Sequence, residues 1–175
     1  LVASFAPQGD YDAARLGDGF IHAMLRRGNA PGAEGAVRFI LRAVEKARPL
    51  TGGLDVRFDA AFTIGHVMDA LTDHGVHFVG RLRENAVVER MAEPYLSRPQ
   101  GRPPKAGYEV AIDLGAYQAE SWRHAQRLIL VIVDQPEANG CLALWPRHFF
   151  LVTNWPRQRR TASPNKLTRP RCRTG

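Results

Sequence analysis

Cysteine is nearly absent: Cys141 and Cys172 are the only two in 175 residues, and neither has a Cys or His neighbour at metal-ligand spacing. A disulfide framework is not what organises this chain, and free thiols in a reducing compartment are expected. Histidines are scattered too. Only His74 and His77 come close, across Gly75, which is too few donors for a zinc centre. No apolar run approaches the ~20 residues of a membrane span, and the first residues do not resemble a signal peptide. A soluble, cytoplasmic protein without membrane contact is the expectation. No glycine-rich phosphate loop follows any apolar strand, because Gly17-Asp18-Gly19 and Gly52-Gly53 lack the spacing. That absence disfavours an α/β domain binding a nucleotide or small molecule.

Acidic residues are missing from 156–175, and this changes how the basic composition is read. The formal charge of +7 comes from 24 Lys and Arg against 17 Asp and Glu. Seven of the cations, Arg157, Arg159, Arg160, Lys166, Arg169, Arg171 and Arg173, fall in that last segment, so residues 1–155 are formally neutral. A basic segment with Pro156, Pro164 and Pro170 and no apolar periodicity is expected to be disordered and to bind phosphate backbones non-specifically. Its abrupt composition is equally compatible with a shifted reading frame. The chain opens at Leu1 without methionine and reads as a piece of a longer frame.

What is present fits one compact domain, since 45% apolar residues in a chain of this length can bury a sizeable core. Leu1–Ala6 reads as a strand and Gln8–Leu16 as a polar turn, while Phe20–Leu25 fits strand or helix. Ala36, Val37, Ile40, Leu41 and Val44 mark one face of a helix ending near Pro49. Leu54–Phe58 is a strand that delivers Asp59. Ile64, Val67, Met68 and Leu71 make a second helix, stopped by Gly75, and Val76–Leu82 is the next strand. Ala86–Met91 is helix-like or an edge element. Prolines 94, 99, 103 and 104 mark a loop carrying Arg98, Arg102 and Lys105, followed by strand patterns at Tyr108–Leu114, Leu128–Val133 and Phe149–Val152.

A lone carboxylate at the exit of a buried strand is either a surface-turn Asp or a ligand presented to a catalytic metal at the sheet's end. The surrounding residues carry a resemblance. Leu25-Arg26-Arg27-Gly28-Asn29, Arg57-Phe58-Asp59-Ala60-Ala61-Phe62, Leu71 through Asn85, Trp122 through Arg127 and Phe149 through Trp155 occur in one order over residues 1–155. Together they resemble the bacterial insertion-sequence transposases of the DDE type, transposase DDE domain group 1. The resemblance tips Phe20–Leu25 toward strand.

The fold the resemblance implies is α/β: a partial ribonuclease-H-like core with a mixed sheet in 1–85, a β-rich insertion in 86–155, and a disordered basic tail in 156–175. Its chemistry would use three carboxylates holding two Mg²⁺ or Mn²⁺ ions for DNA strand cleavage and transfer. Two hard cations beside a phosphodiester need several oxygen ligands, so one acid is not enough. Asp59 matches the second acid, as catalytic residue and metal ligand. The first Asp is expected on a strand upstream of Leu1, and the Glu on a helix beyond Thr153-Asn154, so the chain alone is expected to be inactive. DNA is the expected partner, contacted by Arg57, Arg98, Arg102, Lys105, Trp122 and Arg123, with Trp122 set against a buried structural role. A homo-oligomer is expected of the full-length protein. The alternative is a non-catalytic DNA-binding module acting through the tail and the proline loop.

Overall fold

The computed structural model describes residues 2–8, 11–16, 19–25, 35–97, 108–134 and 146–156. Arg98, Arg102, Lys105, both cysteines and the basic segment 157–175 lie outside them.

Three antiparallel strands open the chain: β1 (Val2–Gln8), β2 (Tyr11–Leu16) and β3 (Gly19–Leu25). Helix α1 (Ala36–Ala47) leads to β4 (Asp55–Phe58), and helix α2 (Gly65–Asp73) leads to β5 (His77–Leu82). After α3 (Ala86–Ala92) come β6 (Tyr108–Tyr117), β7 (Gln126–Asp134) and β8 (Arg147–Thr153). The eight strands of the described residues form one sheet in the order β3-β2-β1-β4-β5-β8-β7-β6. The pairings β1 with β4 and β4 with β5 are parallel, and the others are antiparallel.

One expectation changes. The segment read as a polar turn contains β2, whose Tyr11-Asp12-Ala13-Ala14 stretch lacks an apolar alternation strong enough to stand out. Beside β4 lies β1, with Ala3 opposite Val56 and Phe5 opposite Phe58. Among the described residues the sheet runs unbroken from β3 at one edge to β6 at the other.

Parallel neighbours need a crossover, and α1 and α2 supply the two crossovers here. Helix α1 buries Ala36, Phe39, Ile40, Ala43, Val44 and Ala47, a stripe rotated from the expected one because Val37 and Leu41 stay only partly covered. Helix α2 buries Val67, Met68 and Leu71. These side chains meet Val56, Phe58, Phe78, Leu128, Leu130, Phe150 and Val152 in one core. In β4 the alternation turns Arg57 to the opposite face, where it is exposed. On that face the Arg81 guanidinium lies 5.4 Å from the Phe149 ring centre.

Gly80 on β5 is required by a close approach. A Cβ there would lie 2.2 Å from a Phe58 ring carbon and 2.9 Å from the Thr63 hydroxyl. Gly80→Ala is expected to destabilise the fold by about 1–3 kcal/mol, the usual cost of overpacking. Chemical denaturation checks this, and an unchanged midpoint would show that Phe58 has room to move.

Where β8 runs out, a side chain continues the ladder. Asn154 Oδ1 accepts the Phe78 N–H at 2.9 Å and its Nδ2 donates to the Val76 carbonyl at 2.9 Å. The amide thus takes the place of one more strand residue beside β5. The neighbouring Thr153 hydroxyl donates to the Phe78 carbonyl at 2.5 Å. Asn85 caps α3, accepting from Val87 N–H at 3.0 Å and Val88 N–H at 3.2 Å.

Candidate active site at the end of β4

Asp59 follows the last residue of β4 at the C-terminal end of the two parallel pairs, where open α/β sheets commonly hold ligands. It sits on a turn that its own backbone closes: the Asp59 carbonyl accepts the Phe62 N–H at 3.0 Å and the Thr63 hydroxyl at 3.3 Å. The Thr63 hydroxyl also reaches the Arg81 carbonyl at 2.7 Å, tying the turn to β5. Phe62 is fully buried and anchors the turn from below. The Asp59 side chain is exposed, with Oδ1 accepting the Ala60 N–H at 2.7 Å.

The neighbouring strand brings no second carboxylate. β1 reads Val-Ala-Ser-Phe-Ala-Pro-Gln, and the nearest acid in register is Asp12 on β2, opposite Pro7. Two strand spacings separate β2 from β4, about 10 Å between backbones. Among the described residues no group of three or more His, Cys, Asp and Glu side chains is placed to hold a metal ion. A single carboxylate, already engaged by one backbone N–H, does not fit a pair of divalent ions.

The other expected contacts separate. Arg57 is exposed on the open face of the sheet and makes no ion pair among the described residues. Trp122 is not a stacking platform: it is 7% exposed, and Tyr117 packs edge-on against it with ring centres 5.3 Å apart. Its burial follows from the tight passage of α2, since a Cβ on Gly65 would lie 2.6 Å from the Ser121 carbonyl. Arg123 is exposed but is paired with Asp73, a hydrogen bond that raises the guanidinium pKa further. Glu89 lies 3.1 Å from His148 Nε2. The i to i+59 separation of that pair hides it from any local pattern.

The family described as Transposase DDE domain group 1 matches residues 3–173. The chain belongs to this family. The match continues past residue 155 into the basic segment, further than the five sequence pieces reach. No curated protein matches this DDE-domain chain. Among solved structures it is similar to a piggyBac transposase, seen by cryo-EM in a synaptic complex with hairpin DNA, at 18% identity and a TM-score of 0.37. That similarity covers 82% of the DDE-domain chain and 26% of the piggyBac transposase, so the chain spans about a quarter of its length. No helix among the described residues is long and apolar enough to cross a membrane.

Proposed function

We propose that this chain is part of a bacterial insertion-sequence transposase whose complete form binds element ends and performs metal-dependent DNA cleavage and strand transfer. Asp59 is the second of its three carboxylates. The observation that carries this is the position of Asp59: the exit of a central parallel strand, on a turn held by four backbone and hydroxyl contacts, inside a chain of the DDE family. The strand order of the first five strands, 3-2-1-4-5, supports reading residues 1–85 as a ribonuclease-H-like core, with 86–155 as an insertion that extends the β5 edge. DNA is the partner in this reading, and Arg57 with the cations of 98–105 and 157–173 are its contacts. The full-length protein acts as a homo-oligomer in the cytoplasm.

One carboxylate supports only weak binding of Mg²⁺ or Mn²⁺. Manganese titration followed by water-proton relaxation is expected to give a dissociation constant of about a millimolar or weaker, lost in Asp59→Ala. A tighter site that survives the substitution would place the metal donors elsewhere and remove Asp59 from the role.

DNA binding without catalysis is the second reading. It is favoured by the same lone carboxylate and by the seven cations beyond residue 156.

A further inference from the structure

At the opposite end of the sheet from Asp59, an open pocket of about 400 Å³ lies between the C-terminal end of α2 and the ends of β7 and β8. Thr72, His124, Gln126, Arg127, Asn154 and Trp155 line it. Its chemistry differs from that of an ordinary surface hollow in two ways.

The first is Gln126. The residue is 3% exposed, yet its side-chain amide hydrogen-bonds to no described residue. Its amide atoms are not among the sealed, unpartnered ones, so they open on the pocket, where a ligand can meet them as donor and acceptor. The second is Trp155. One face of its indole is stacked on His77, with ring centres 4.3 Å apart, and the residue remains 37% exposed at the pocket's rim. The backbone holds it there, its N–H donating to the Thr153 hydroxyl at 3.1 Å.

The charges around the pocket are already matched. Arg127 Nε lies 3.2 Å from Asp113 Oδ2, an ion pair without hydrogen-bond geometry, and Nη1 donates to the Trp155 carbonyl at 3.4 Å. Arg123, beside His124, is taken by Asp73. The Asn154 amide is committed to β5. What stays available is a neutral donor and acceptor pair, on Gln126, next to an aromatic plane. An anion would meet compensated cations there. A flat heteroaromatic with its own donor and acceptor edge meets complementary groups.

We propose that this pocket receives one unpaired nucleobase of a DNA strand, stacked at Trp155 and read by the amide of Gln126. The proposal deepens the DNA-binding reading above and rests on it for the choice of ligand. Adenine is the best-matched base, because a glutamine amide pairs with its N6 and N7 edge. Stacking on an aromatic side chain tolerates any base, so preference comes from Gln126 and affinity from both.

The test uses the full chain and the single-stranded tetranucleotide d(A)4, followed by tryptophan emission. Quenching is expected in the wild type and is absent from Trp155→Phe if the quenched signal is that of Trp155. Gln126→Leu, which keeps the buried volume, is expected to weaken the tetranucleotide by about tenfold. A blunt duplex is titrated in parallel by anisotropy with the wild type. Quenching that persists in Trp155→Phe, or equal affinity in Gln126→Leu, overturns the pocket. Duplex binding without Trp155 quenching leaves DNA binding standing and removes the pocket. Quenching without duplex binding keeps the pocket and removes the duplex reading, and silence in both experiments removes both.

Discussion

Phe62→Ala is expected to lower the melting temperature by roughly 10 °C, from a loss of about 3–5 kcal/mol and a shift of about 2–4 °C per kcal/mol in a chain of this size. Phe62 has 0% exposure, and its ring stacks 6.4 Å from that of Phe39 on α1. Alanine would leave a cavity where β4, α1 and α2 meet, and the surroundings could close it only by moving the Asp59 turn. Val87 is the contrast: it is also apolar and early in a helix, but 54% exposed. Val87→Ala is expected to stay within about 0.5 kcal/mol of the wild type. Thermal unfolding of the three proteins checks both numbers, and equal melting temperatures would mean that the core is not organised around Phe62. The loss should also be larger than that of Gly80→Ala, because a missing ring removes more contacts than one added methyl disturbs.

The parts of the fold that were legible in the sequence are those where period and punctuation agree. Val67, Met68 and Leu71 followed by Gly75 mark a helix and its end, and Gly75 does take a positive φ of 64° in the structure. β7 was readable because Leu128–Val133 is an unbroken apolar run, which suits a strand with neighbours on both sides. β2 was not readable, since Tyr11-Asp12-Ala13-Ala14-Arg15-Leu16 alternates too weakly, and its strand state depends on pairing with β1 and β3. The same limit applies to the site. Asp59 was visible because a short apolar strand ends on it. The pocket at the other end was not, because Thr72, Gln126 and Trp155 come together only when α2, β7 and β8 do. Trp122 and Trp155 illustrate the gap. Trp122 stands just before Arg123 and Trp155 two residues before Arg157, and the packing of Ser121 and Trp122 against Gly65 puts Trp122 inside while Trp155 stays at the rim.

Removing residues 157–175 is expected to weaken duplex DNA binding about a thousandfold at low salt and to flatten its salt dependence. The physical basis is counterion release. Each cation seated on a phosphate displaces condensed salt, so seven cations give a slope of roughly −6 in log affinity against log salt concentration. The remaining residues of the chain hold equal numbers of cations and acids, so they supply little net attraction of their own. Wild type and truncated chain are therefore expected to converge as salt rises, since the segment's contribution is the part that salt competes away. Anisotropy titrations from about 50 to 200 mM salt measure this directly, across a range where six or more phosphate contacts cost at least about a thousandfold in affinity. If the truncated chain keeps both its affinity and its slope, the DNA contacts lie on the folded body. The exposed guanidiniums of Arg57 and Arg81 on the open face of the sheet then become the contacts to substitute, and the basic segment drops out of the function.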